Sequence, residues 1–219
     1  MKSAILESML QSPALPELIQ EGMRAFADEQ KLRQKFYADI TPEHKWEFIQ
    51  GEVIKHSPTL NRHLVASQHL YHLLSAYVRV KKLGIVRHEK AMTSFPRNDY
   101  EPDVLFFGIA KAALTSPDTL RFPIPDLIAE VISPSTEKRD RGIKFQDYAL
   151  HGVGEYWIID TVSETVELYR LSGDVYAPTT RQSEGLLSSD VVPGFEIPVR
   201  AIFDEEANAE MMRQIWAKA

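Results

Sequence analysis

Short apolar runs that carry a single acidic residue are the clearest pattern in this chain. The run Asp126–Ile132 is apolar after its first residue except for Glu130, and a second run, Val104–Phe107, directly follows Asp103. Continuous apolar runs of this length are typical of strands buried on both faces of a sheet. A carboxylate in such a strand costs free energy unless it has a partner or a metal ion. The pattern therefore predicts buried neighbouring strands that carry two acids for a specific reason.

Helical periodicity is found on both sides of these strands. Apolar residues recur at spacings of three and four over residues 60–78, which predicts a helix with one buried stripe. Ser57 is expected to cap the start of this helix and Gly84 to cap its end. A second helix is expected over residues 136–150.

The order of the predicted elements indicates the fold class. The first helix is followed by strands that include residues 85–88, 101–107 and 126–132, and the second helix by a buried strand over residues 155–160. Further strands are expected at both ends. This order of helix, three strands, helix and strand indicates an α/β or α+β fold, in which helices flank a central mixed β-sheet.

Residues 1–38 are predicted to form an N-terminal helical extension, and residues 39–219 the main domain. A helix from Pro16 to Gln34 has one apolar face, formed by Leu18, Ile19, Met23 and Phe26. We expect this face to pack on the domain or on a partner subunit. Residues 202–218 are expected to close the chain as a helix.

Composition limits the chemistry that is available to the protein. None of the 219 residues is cysteine, so a metal would need oxygen or imidazole ligands. The formal net charge of −6 argues against a protein that coats nucleic acid nonspecifically, but it permits an enzyme with a local basic groove. No apolar run approaches the roughly 20 residues of a membrane helix, and the N-terminus lacks the layout of a signal peptide. We therefore expect a cytoplasmic protein that does not use a membrane.

Asp103 and Glu130 are the candidate metal ligands, because their strands should be neighbours in the sheet. Two carboxylates within reach of one hard cation form a site for Mg²⁺ or Mn²⁺, which water and substrate phosphate would complete. Such a metal polarises the phosphate and activates the attacking water. A nearby lysine would stabilise the negative charge that develops.

The residues around these acids resemble those of a known nuclease superfamily. Pro102-Asp103 and Glu130-Val131-Ile132 resemble the PD-(D/E)XK nucleases, whose core is helix, three strands, helix and strand. The wider pattern is similar to the family labelled Uma-two, whose members are assigned as restriction endonucleases, at Gly51–Val53, Glu130–Thr136, Arg139–Lys144, Tyr148 and Gly152–Trp157. The resemblance implies a restriction-endonuclease-like fold, a divalent-metal phosphodiesterase site and DNA as the substrate.

The resemblance breaks down at one position of the motif. The superfamily has a lysine two residues after the glutamate, where this chain has Ile132. Lys144 on the following helix is the expected replacement, because Asp140, Lys144 and Tyr148 would share one helix face.

Two further residues could join the site. Glu52 is a third acid that could bind a metal or position a water, and His63 is expected to approach the same site. We also expect a homodimer, because cutting both strands of DNA requires two sites and such folds often pair.

Other interpretations stay open at this point. Glu130 could instead form a structural ion pair with Arg139 or Lys144. Ile132 and the acidic net charge favour, as the alternative function, a catalytically inactive nucleic-acid-binding or regulatory protein on the same fold. A hydrolase that acts on another phosphate substrate is the third possibility.

Overall fold

The computed structural model describes residues 2–41, 43–179 and 181–217. They form two compact units, Met1–Lys55 and His56–Ala219. The assignment of residues 1–38 as a separate extension, with residues 39–219 as one domain, stays a prediction. In the part of the chain described, no helix combines the length and the hydropathy needed to cross a membrane.

The N-terminal unit consists of two helices and a hairpin. Its elements are α1 Lys2–Leu10, α2 Leu15–Asp39, β1 Trp46–Ile49 and β2 Glu52–Lys55. The turn residues Gln50 and Gly51 have φ angles of 50° and 87°. Positive φ at both central residues matches the twist of the flanking antiparallel strands. Phe36 of α2 packs on Phe48 of β1, with ring centroids 5.7 Å apart.

The second unit is a mixed sheet flanked by helices, as predicted. Its elements up to the crossover are α3 Asn61–Lys81, β3 Gly84–His88, β4 Thr93–Ser94, β5 Asp99–Tyr100, β6 Val104–Gly108, α4 Ile109–Ala112 and β7 Leu127–Ile132. The crossover consists of α5 Glu137–Arg139, a π turn Asp140–Lys144 and α6 Phe145–Leu150. The remaining elements are β8 Glu155–Asp160, β9 Thr165–Ser172, β10 Val175–Tyr176, β11 Arg181–Gln182, β12 Leu186–Ser188, β13 Glu196–Pro198, a 3₁₀ turn Val199–Ile202 and α7 Glu205–Ala217.

The central sheet has the strand order β10-β9-β8-β7-β6-β3, and β11 also pairs with β9. Strands β7 and β8 are parallel, whereas β6 pairs antiparallel with both β3 and β7. A parallel pair requires a crossover connection, which α5, the π turn and α6 supply. The crossover therefore returns across the sheet close to the strand that carries Glu130.

The main apolar core lies between α3 and one face of the central sheet. Leu70 and Leu73 of α3 pack there with Ala129, Val131 and Trp157, all of them buried. Burial of each large apolar side chain contributes about 1.5–3 kcal/mol. Because successive strand residues point to opposite faces, Glu130 is directed to the other face of β7.

Both predicted caps of the helix over residues 60–78 are wrong. Helix α3 begins at Asn61, and no side chain caps it, so Ser57 lies outside the helix. Its end is capped by Lys82, which has a left-handed φ of 55°. Gly84 serves a different purpose: a Cβ atom there would lie 2.0 Å from the carbonyl oxygen of Phe107. This glycine is therefore needed for the close approach of β3 to β6.

Two other boundaries also differ from the predictions. The strand expected over residues 101–107 begins at Val104, and a separate short strand, β5, lies before it. The closing helix begins at Glu205 after a 3₁₀ turn, and its predicted last residue, Lys218, lies outside the described residues.

Candidate active site

Glu130 lies in β7 with its carboxylate buried. Its Oε1 atom accepts hydrogen bonds from Nζ of Lys144 and from the hydroxyl of Tyr148, both at 2.9 Å. The side chains of Glu130 and Lys144 are 5% and 4% exposed. The ion pair compensates a buried charge that would otherwise be costly. This contact fits both interpretations made from the sequence, a structural ion pair and an amine placed beside a metal ligand.

Lys144 ends a π turn and not a turn of the continuous α-helix predicted over residues 136–150. π turns are rare and are frequently found at functional sites. Nζ of Lys144 also lies 3.4 Å from Oδ1 of Asp140. Asp140, Lys144 and Tyr148, which the sequence placed on one helix face, are thus brought together around Glu130.

The π turn is held by contacts to two strands. Arg141 donates to both carboxylate oxygens of Glu167 on β9, at 2.7 and 2.9 Å. These hydrogen bonds lower the pKa of Glu167 to about 2. On the other side, the hydroxyl of Tyr156 on β8 donates to the carbonyl oxygen of Asp140 at 3.1 Å. The backbone that carries Lys144 is therefore fixed from two directions.

The hydroxyl of Tyr156 stays protonated in this position. Burial raises its pKa well above the ordinary value, and the negative charges of Asp140 and Glu130 raise it further. Tyr156 therefore remains a hydrogen-bond donor to the π turn over the physiological pH range.

Asp103 directly precedes β6. Because Val104 pairs with Ala129, the antiparallel register continued by one residue places Asp103 opposite Glu130. Oδ2 of Asp103 accepts a hydrogen bond from the backbone N–H of Val131 at 2.9 Å. The same oxygen lies 3.2 Å from Nε2 of His63, in the first turn of α3. The structure therefore joins His63 to Asp103, as the sequence suggested.

Glu52 lies on β2 in the N-terminal unit, where its side chain is exposed. It accordingly lacks the burial that distinguishes Asp103 and Glu130. Its role as a third acid stays a prediction.

Comparison with known proteins assigns the chain to a family. Residues 29–200 match the model of the family Uma2, described as "Putative restriction endonuclease". The chain belongs to the Uma2 family. A search of curated proteins found no match.

The fold of this Uma2 chain is similar to that of a solved structure. The crystal structure of a DUF820 protein from Anabaena variabilis, described as a "putative nuclease", superposes with a TM-score of 0.67 at 18% identity. The alignment covers 78% of this chain and 96% of the other. At this identity the likeness supports the fold alone.

Ile132 occupies the position where the superfamily motif has its lysine. It is buried two residues after Glu130, so it shares the same face of β7 but offers no polar atom. Lys144 supplies an amine to this face from the crossover. The amine of Lys144 therefore lies beside Glu130 in this Uma2 chain, as expected if Lys144 replaces the motif lysine. The catalytic role of Lys144 stays a prediction.

A buried polar cluster supports the neighbouring part of the crossover, and the sequence analysis missed it. Asp147 of α6 accepts hydrogen bonds from Asn98 at 2.7 Å and from the hydroxyl of Tyr100 at 2.8 Å. Nδ1 of His151 lies 2.9 Å from its other oxygen. Asp147 follows Lys144 by three residues, a spacing that puts both on one helix face. This spacing is the sequence feature that could have predicted a position for Asp147 near the site.

The donor set fits a hard divalent cation. Mg²⁺ is usually bound by one or two carboxylates, with waters and substrate phosphates completing an octahedron. Asp103 and Glu130 can supply those two carboxylates. No group of three or more His, Cys, Asp or Glu side chains that could hold a metal occurs among the described residues. Asp103 and Glu130 are therefore two candidate ligands only, and their binding of a metal stays a prediction.

Proposed function

We propose that the protein is a divalent-metal-dependent endonuclease that hydrolyses phosphodiester bonds of DNA. In this proposal Asp103 and Glu130 hold Mg²⁺ or Mn²⁺, and Lys144 is the catalytic amine. The observation that carries the proposal is the buried contact of 2.9 Å between Nζ of Lys144 and Oε1 of Glu130. It supplies an amine where Ile132 replaces the motif lysine, and membership of the Uma2 family supports nuclease chemistry.

Each residue has a defined task in this mechanism. A bound divalent cation would polarise the scissile phosphate and activate the attacking water. Lys144 places a positive charge beside the oxygen on which negative charge develops, in a site with little solvent. The hydroxyl of Tyr148 and the backbone N–H of Val131 fix the orientations of Glu130 and Asp103. Glu52 is proposed as an assisting acid, which a Glu52→Gln variant tests.

Cleavage of supercoiled plasmid with Mg²⁺ or Mn²⁺ tests the proposal. We expect Asp103→Asn and Lys144→Met to reduce the rate by about 10²-fold or more, the loss found when a charge-stabilising group is removed. Lys138→Met is the matched control, because Lys138 is an exposed lysine on the same crossover. Equal rates for the wild type and Asp103→Asn would refute the mechanism.

A rescue experiment tests the relocation of the lysine. Ile132→Lys restores the motif position and should recover part of the cleavage rate in the Lys144→Met background. Isothermal titration calorimetry distinguishes the proposed nuclease from the catalytically inactive alternative. DNA binding without divalent-metal binding at millimolar concentration would support a binding or regulatory protein.

A further inference from the structure

An exposed apolar stripe runs along the first two-thirds of α2. Ile19, Met23 and Phe26 are 45–68% exposed. At about 100° per residue these three side chains project from the same side of the helix. The opposite side carries Glu17, Glu21 and Asp28. The helix is thus amphipathic, and its apolar side faces solvent.

The last third of α2 buries a neighbouring side of the helix. Glu29, Arg33 and Phe36 are buried, and Phe36 lies against Phe48 of the β1–β2 hairpin. At about 100° per residue this buried side lies roughly 80° around the helix axis from the stripe, so the hairpin leaves Ile19, Met23 and Phe26 uncovered.

Helix α1 adds more exposed apolar surface at this end of the N-terminal unit. It has nine residues, and Ile5, Leu6 and Leu10 are 55–63% exposed. A helix of this length is marginal in water without packing partners. With roughly 200 Å² per large side chain, the exposed surface of these three residues and of the stripe totals about 700 Å². A stable dimer interface buries about 800 Å² on each partner, so the area is nearly sufficient.

We propose that α1 and the stripe on α2 form a homodimer interface, and that the occupant is a second copy of this chain. A two-fold axis beside Gly22 and Met23 sets two α2 helices antiparallel, so that Ile19 of one copy meets Phe26 of the other. Apart from its chain neighbours and its own helix backbone, Gly22 has no atom within 4 Å of the position of a Cβ, which leaves room for the two backbones to approach.

The charge of this segment favours a protein partner over a lipid surface. Residues 4–28 contain four acidic residues and one arginine, whereas helices that lie on anionic membranes carry a basic polar face. Residues 2–28 also lie outside the range matched by the Uma2 family. The interface would therefore be an addition to the nuclease fold and does not depend on the proposed chemistry.

Sedimentation velocity on the full chain, from about 1 to 100 µM, tests this interface. We expect a dimer whose dissociation constant rises at least about 30-fold in Met23→Glu, as for the loss of a central interface residue. Leu120→Glu is the control, because Leu120 is 78% exposed in the second unit. A monomeric wild type, or a Met23→Glu dimer of unchanged affinity, overturns the proposal.

Cross-linking gives a second, position-specific readout, because the chain contains no cysteine. Met23→Cys lies beside the proposed axis and should form an intermolecular disulfide under mild oxidation, whereas Leu120→Cys should not. Equal cross-linking of the two variants overturns the proposal, as does binding of a monomeric chain to phosphatidylglycerol vesicles. All these readouts measure mass or association, so a failed nuclease assay leaves them intact.

Discussion

Removing the charge of Lys144 should destabilise the fold strongly. Lys144→Met leaves the carboxylate of Glu130 buried beside an apolar chain, with the hydroxyl of Tyr148 still donating to it. At 2.9 Å and an effective dielectric constant of about 20, the lost attraction is about 6 kcal/mol. Part of this was offset in the wild type by the cost of burying the ammonium, so we expect a net loss of about 3–5 kcal/mol. For a chain of 219 residues this lowers Tm by about 6–20 °C.

A double-mutant cycle distinguishes this ion pair from simple loss of packing. Thermal and urea unfolding would be measured for Lys144→Met, Glu130→Gln and the double variant. We expect the double variant to be about 2–3 kcal/mol more stable than the sum of the single effects, because Glu130→Gln removes the carboxylate that Lys144→Met leaves buried without its ammonium. The exposed Lys138→Met should change stability by less than about 0.5 kcal/mol. Additive single effects would refute the coupling between Lys144 and Glu130.

Three further predictions concern other parts of the second unit. His63→Leu should weaken Mn²⁺ binding about 10-fold in calorimetry, because His63 holds Asp103, and His63→Gln should recover part of it; equal affinities in all three proteins would contradict this role. The carboxylate of Glu167 has a lowered pKa, so its contribution to stability is complete above pH 4.5 and is lost as the pH falls towards about 2. With solvent screening this amounts to about 1–2 kcal/mol, and acid unfolding of Glu167→Gln should lack that step. Gly84→Ala should cost about 2–5 kcal/mol in urea unfolding, because the new Cβ would meet the carbonyl oxygen of Phe107, whereas Gly142→Ala meets nothing within 4 Å and should be close to neutral.

The buried strands were predictable because a continuous run of apolar residues indicates burial on both faces of a sheet. The run around Glu130 forms β7, and residues 155–160 form β8 beside it. Continuous apolar residues leave few alternatives to a strand covered on both faces. The acid in the middle of β7 then required a compensating charge, and Lys144 supplies it.

The π turn was not predictable from local sequence. It is held by contacts of Arg141 with β9 and of Asp140 with Tyr156, which are distant in the chain. A pattern that assumes about 3.6 residues per turn reads this segment as regular helix. The start of α3 was also missed, because Ser57 suggested a side-chain cap that the helix does not use.

Because of the π turn, the number of residues in the crossover determines the geometry of the site. The crossover is tethered at both ends, to β7 and to β8, so the number of residues between them determines the rotation of every side chain on it. Each residue of α-helix advances the rotation by about 100°. Deleting Gly142 or Ile143 would regularise the helix and turn the amine of Lys144 away from Glu130 while every charged group was retained. Insertions and deletions in this crossover are therefore under a stronger constraint than many substitutions, and related chains should keep its length even where its composition varies.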